Sequence, residues 1–188
     1  MADSDTILIT AGSFQFLAVF EEAAPKTVAM FRKLLPYRQK LIHVRWSGEG
    51  MWIPLGDTNL GVEFENHTSH PAAGQILLYP GGFSETEFLF CYGGVAFASK
   101  MGPLAANHFL TVVEGSGNLR ALGELVLWKG AQDVVFELAD EERYIICPNI
   151  IFHRCENHRP DLLTWWLKEY ANSERNASST RLRRQSNQ

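Results

Sequence analysis

FEEAAPKTVAMFRKLLP, residues 20–36, begins where an apolar run ends and closes on a proline. Pro25 falls where a first-turn proline is tolerated, because its missing N–H belongs to a set of donors that a helix start leaves unpaired anyway. Glu21 and Glu22 lie near the positive end of the helix dipole. Val28, Phe31 and Leu35 make one apolar stripe, and Pro36 stops the helix. A helix this short with one apolar stripe is a cap on something larger.

The flanking sequence says what it caps. Upstream, ILITAGSFQFLAVF sets Phe14, Phe16, Ala18 and Phe20 on one face and Gln15, Leu17, Val19 and Glu21 on the other, split from an earlier strand by Ala11-Gly12-Ser13. Period-two patterning around a turn predicts a hairpin. Downstream, LIHVRW reads as a strand and MWIPLGD as a short extended piece leading into the acidic loop VEFENHTSHPAAG. QILLYP, FLFCYGG, HFLTVV, DVVFEL and RYIICP follow as short β-rich runs separated by Gly, Pro, Asn or Ser. So many short strands with few helices predict a mainly β fold, a closed or nearly closed barrel and not a parallel sheet. GNLRALGELVLWKG is the second helix, with Leu119, Leu122, Leu125 and Val126 on one side and Gly123 as a weak point. Pro160 opens a third, C-terminal helix carrying Leu162, Leu163, Trp165, Trp166 and Tyr170, whose apolar density calls for cover from the barrel or from a second subunit.

At 188 residues with 46% apolar and 20% charged side chains, one domain over residues 1–171 is expected, followed by a polar, basic, disordered tail over 172–188. The formal charge of −4 combines +3 in that tail with −7 in the body, and an acidic body disfavours nucleic acid as the main ligand. No basic n-region precedes an apolar h-region at the start and no stretch approaches a membrane span of ~20 residues. A soluble, cytoplasmic protein is expected. Cys91, Cys147 and Cys155 are odd in number without a C-x-x-C pair, so reduced thiols are expected in place of a disulfide framework or zinc knuckle.

The helix opened by APKTV and containing Phe31, the segment with His43 and Arg45 running to Gly56-Asp57, and Gly102-Pro103 before Asn107-His108-Phe109-Leu110-Thr111 resemble, in that order, the cyclophilins. More specifically, HVRWSGE, WIPLGD, YPGG with SETE, FASKMG and NHFLTV resemble an uncharacterised bacterial family with a cyclophilin-like fold, over roughly residues 6 to 140. The resemblance implies a closed eight-stranded barrel with two capping helices, to which the C-terminal helix is an addition. It implies no known reaction.

A prolyl isomerase has to stabilise a twisted amide against a barrier of ~20 kcal/mol, with a dry proline pocket and a guanidinium on the amide. Aligned on Gly56-Asp57, the cyclophilin arginine position falls on Trp46, the Phe-Met pair on Met51-Trp52 and the glutamine on Pro54. On a strand a one-residue slip turns Arg45 to the wrong face unless a bulge near Ser47-Gly48 restores it. Pro54 supplies neither amide group of a glutamine. Efficient isomerisation is therefore not expected.

The expected site is a groove next to RWSGE, SETE and NHF that binds a small polar metabolite or a peptide-like segment, built from Arg45, Trp46, Glu49, Trp52, Tyr79, Glu85, Glu87, Lys100, Asn107 and His108. Aromatic walls with few charged anchors suit such a ligand. Glu85 and Glu87 share a side if the chain is extended there, a paired-carboxylate arrangement. Each residue also has a plainer reading: Arg45 with Glu49 as an ion pair, the tryptophans as core or interface, Glu85 as a turn cap, Lys100 as a solvated charge. Arg45, His108 and Glu85 are the candidates for catalysis, His108 as an acid or base at a barrel rim. The alternatives are a divergent isomerase, a small-amide hydrolase or lyase by analogy with cyclophilin-like domains of allophanate-hydrolase-type enzymes, and a non-catalytic subunit of a larger enzyme. His67, His70, His108, His153 and His158 show no metal-ligand motif, so no metal or cofactor is expected. The expected partners are a small ligand and a second copy of the chain through the C-terminal helix, with no membrane and no nucleic acid.

Overall fold

The computed structural model describes residues 6–139. The expected strand RYIICP, the C-terminal helix after Pro160, the basic tail, Cys147, Cys155, His153 and His158 lie outside them. Strands β1 (Thr6–Ala11) and β2 (Phe14–Phe20) form the first hairpin, α1 (Pro25–Arg32) follows, and then come β3 (Tyr37–His43), β4 (Gly48–Gly56) and the two-residue β5 (His67–Thr68). Next are β6 (Gln75–Tyr79), β7 (Thr86–Val95), the small pair β8 (Ala98–Ser99) and β9 (Gly102–Pro103), β10 (Ala106–Glu114), α2 (Leu119–Lys129) and β11 (Gln132–Leu138). The order around the main sheet is β2-β1-β11-β3-β4-β7-β6-β10, and β10 pairs back onto β2. Every pairing is antiparallel, so eight strands close a barrel without free edges.

The hairpin face read from sequence is the inward one: Phe16 and Ala18 are buried and Phe14 and Phe20 pack against the core. Phe31 of α1 fills one end of the barrel, its ring within 6.4 Å of the Phe20, Tyr37, Phe88, Phe109 and Phe136 centroids. At the far end of β7, Tyr92 meets α2, whose buried residues are Leu119, Leu122, Gly123 and Val126. The two helices therefore stopper opposite ends of one apolar interior.

QILLY and FLFCY lack alternation because both faces of β6 and β7 are covered. Ile76, Leu78, Phe88 and Phe90 point inward, whereas Leu77, Tyr79, Leu89 and Cys91 join an outer cluster with Val95, Phe97, Leu104 and Ala106, to which Val44 and Trp52 add half-buried cover. The segment carrying β8 and β9 thus makes a second, outer layer on this side of the barrel. Burial in that layer pushes the Cys91 thiol up to about 12, which leaves it unreactive at neutral pH.

Two expected boundaries move. The helix ends at Arg32, because Lys33 and Leu34 donate to the Met30 and Phe31 carbonyls in a tightened last turn, and Leu35 precedes a proline that disfavours helical backbone there. LIHVRW is a strand only to His43. Val44 N–H donates to the Gly50 carbonyl at 3.1 Å and Val44 to Ser47 form a bend.

Gly123, the weak point of α2 by propensity, is the point of closest approach. A Cβ built there stands 2.5 Å from atoms of the Tyr92 ring. Intrinsic propensity alone would make Gly123→Ala stabilising by up to about 1 kcal/mol. The contact reverses the sign: a net loss of roughly 1–2 kcal/mol is expected, read as a lower urea midpoint, since the rigid ring has to move.

Candidate functional site

Three segments converge on the outer face over Trp52: the bend after β3, the turn between β6 and β7, and the β8–β9 hairpin. Together they enclose a groove of about 540 Å³. Ser47 pins the first to the third, its hydroxyl donating to the Ala98 carbonyl at 3.0 Å and accepting from the Ala98 N–H at 3.1 Å, while Ala96 N–H donates to the Ser47 carbonyl. Ser99 Oγ accepts from Met101 N–H and closes the hairpin tip. The middle wall turns at Gly81 and Gly82, with φ of +96° and +134°, where a Cβ would press on the Thr86 and Tyr79 hydroxyls. The glycines fit this wall to the protein's own side chains.

Six of the ten expected ligand residues line the groove: Arg45, Trp46, Trp52, Glu85, Glu87 and Lys100, joined by Asp57, Phe83 and Met101, which sequence reading did not single out. Because Val44 to Ser47 are a bend and not a strand, the face-alternation argument against Arg45 does not apply. Arg45 and Trp46 both reach the same concavity. Trp46, Phe83 and Met101 are 59%, 61% and 64% exposed, an apolar rim of a kind that folding alone does not call for. The Trp52 indole N–H is buried without an acceptor among the described residues.

None of the five charged side chains here, Arg45, Asp57, Glu85, Glu87 and Lys100, makes a hydrogen bond or ion pair among the described residues. Their unequal exposure sets their chemistry. Glu85 is exposed, whereas Glu87 is only 7% exposed. Burial, helped by the charge of Glu85, raises the Glu87 carboxyl from 4.5 to about 8, so at neutral pH it carries its proton.

The other four lie elsewhere. Tyr79 is buried beneath the Gly82 turn between the Phe64 and Phe97 rings. Glu49 accepts from Gly94 N–H at 2.8 Å and from Arg120 at 2.9 Å, and these bonds lower its pKa. Its ion-pair partner is thus Arg120 of α2 and not Arg45, because β4 carries Glu49 toward the helix end of β7. His108 Nε2 is 2.8 Å from Thr111 Oγ1 and 3.4 Å from Glu21 Oε1, to which the Thr111 hydroxyl donates. Burial lowers the His108 pKa against the opposing pull of Glu21. This trio closes on itself away from the groove.

Asn107, fully buried, is a brace. Its Oδ1 accepts from Glu65 N–H, and its Nδ2 donates to the Glu63 carbonyl at 2.8 Å and to Thr27 Oγ1 at 3.1 Å. Glu65 in turn accepts the Thr27 N–H of α1 at 2.6 Å, which supplies the cap that Ala24 lacks. Asn107→Ala strands the buried Thr27 hydroxyl and two part-buried backbone groups, and a loss of about 2 kcal/mol in urea unfolding is expected, with the groove's ligand response unchanged.

Among the described residues no three His, Cys, Asp or Glu side chains converge as metal ligands, and no helix is long and apolar enough to cross a membrane.

A solved structure described as McbB in complex with tryptophan aligns with a TM-score of 0.57 at 17% identity, covering 82% of this chain and 48% of that one. The chain thus spans about half the length of that protein. The solution structure of the hypothetical protein AF2241 from Archaeoglobus fulgidus aligns at 0.48 and 18% identity, over 74% of this chain and 100% of that one. No curated protein matches. Residues 7–138 match DUF3830, described as a protein of unknown function, and the cyclophilin-like barrel observed here agrees with that match: the chain belongs to the DUF3830 family.

Proposed function

We propose that the protein binds a small polar metabolite or a peptide-like segment in the groove over Trp52, without efficient prolyl isomerisation. The observation that carries this reading is the set of five charged side chains of both signs, unpaired among the described residues, under an exposed apolar rim. Charges that serve only folding or solubility are usually paired or scattered; here a shared concavity gathers them opposite aromatic surface. The volume is in the range of small-molecule sites, and a ligand with both polar ends and an apolar body uses every wall. Against isomerisation stand Pro54, exposed on β4 where the cyclophilin glutamine is lacking, and Arg45 on a bend with no partner among the described residues to orient it.

The test is a thermal-shift screen with phenylalanine, tryptophan, phenylacetamide and short Gly-Pro peptides, tryptophan being included because the McbB structure holds it. Binding to the native state raises the melting temperature. At least one probe is expected to do so in wild type and to lose its effect in Arg45→Ala/Lys100→Ala. No shift with any probe overturns the reading. A proline-peptide isomerisation assay is expected to return the uncatalysed rate for wild type and Arg45→Ala alike, and a rate above it that Arg45→Ala abolishes would reinstate the isomerase.

A further inference from the structure

The groove carries side chains of both signs. Arg45 and Lys100 line the same concavity as Asp57, Glu85 and Glu87, yet no ion pair within 4 Å joins the two sets. Glu87 is the unusual member. It is more than nine-tenths buried and lines the groove, and its carboxyl oxygens, which receive no hydrogen bond from the described residues, are the part of it left accessible. Its acceptors are left for something that enters.

We propose, on the basis of the groove reading above, that this groove holds an ammonium site: a primary amine on an apolar body places its charged head against Glu87 and Glu85 and lays its body along Trp46, Phe83 and Met101.

The chemistry excludes the simpler occupants. A divalent metal wants six or more oxygens, or three or four converging ligands, and no such group exists among the described residues. A bare anion has Arg45 and Lys100, and the protonated Glu87 as a donor, but it meets the negative charge of Glu85 and Asp57. An ammonium group brings three donors, needs only two or three acceptors, and is attracted by aromatic faces such as those of Trp46 and Phe83.

The proton follows from the surroundings of Glu87. The charged groups that line the groove with it are Glu85 before β7, Asp57 after β4, Arg45 on the bend and Lys100 on the hairpin, and Tyr79 is its register partner on β6. The two cations are too distant to form an ion pair with it, and burial and Glu85 together keep it protonated at neutral pH. When the ammonium arrives the Glu87 O–H bond breaks, the proton passes to buffer, and the ligand's positive charge takes its place.

Calorimetric titration with phenethylamine, in two buffers of different ionisation heat, reads this directly. Release of about one proton per amine bound is expected at pH 7, with affinity rising up to tenfold per pH unit below pH 8. Glu87→Gln is expected to abolish both the proton release and its pH dependence and to weaken binding at least tenfold. Glu85→Gln should weaken binding with the fold intact, and Glu114→Gln, on the exposed end of β10, controls for loss of one negative charge. Phenylalanine and 3-phenylpropionate carry the same aromatic body. If 3-phenylpropionate binds and phenethylamine does not, the groove stands and the ammonium site is wrong. Phenethylamine binding without proton release, or equally well to Glu87→Gln, also overturns it. Silence from all three probes in heat and in thermal shift removes the ammonium site, and with the screen above also silent it removes the groove reading too.

Discussion

Phe31→Ala is expected to lower the unfolding free energy by about 4 kcal/mol, the middle of the range for deleting a buried aromatic. Phe31 is 1% exposed and its ring meets five other rings, with centroid separations from 4.9 to 6.4 Å, mostly edge to face. Removing it takes away apolar burial and several aromatic pairs at once and leaves a cavity that the closed barrel collapses poorly around. Val28→Ala, half-buried on the same helix, should cost no more than about 1 kcal/mol. Urea unfolding followed by tryptophan fluorescence separates the two. Equal, small losses would mean that α1 is an attachment to the barrel and not its stopper.

That stopper was legible in FEEAAPKTVAMFRKLLP, because a stripe with one aromatic at its centre and prolines at both ends encodes both helix and direction of burial. Its cap was not. Glu65 reaches Thr27 across 38 residues of chain, and Asn107 holds that loop from further still. Local patterns carry no record of such contacts, so Asn107 looked like a site residue when it is a brace. Glu49 was misread for the same reason: its partner Arg120 is 71 residues away on α2.

The groove was legible as a set of loops more than as residues. RWSGE, YPGGFSE and FASKMG each combine Gly or Ser with charge and aromatic surface, and antiparallel pairing of β4 with β7 sets Asp57 beside YPGGFSE, with RWSGE toward the Val95 end of β7. What no periodicity reveals is that Phe97 and Leu104 roof the outer face of β6 and β7 and so bring Lys100 and Met101 to the same place. Phe83 and Met101 went unnoticed because each, taken singly, is an ordinary turn residue, and Asp57 was read as an alignment anchor and not as a groove residue.

Glu87→Gln is expected to make the protein more stable at high pH and little different in acid. Between pH 4.5 and about 8 the unfolded chain has lost the Glu87 proton while the native state keeps it. The native state therefore binds more protons, and stability falls by up to about 1.4 kcal/mol per pH unit across that window. The contribution is fully present below pH 4.5 and is lost as pH rises through the native value, an accumulated penalty of order 3–5 kcal/mol once Glu87 must ionise in its buried position. A glutamine is neutral in both states and feels none of it. Unfolding free energies of wild type and Glu87→Gln from urea titrations should therefore meet near pH 4.5 and diverge by roughly 3 kcal/mol at pH 9. Glu85→Gln should close part of that gap, since removing the neighbouring charge lowers the pH at which Glu87 ionises. Parallel midpoints over the whole range would show that Glu87 ionises as freely folded as unfolded, and the proton release argued for the amine site would lose its source.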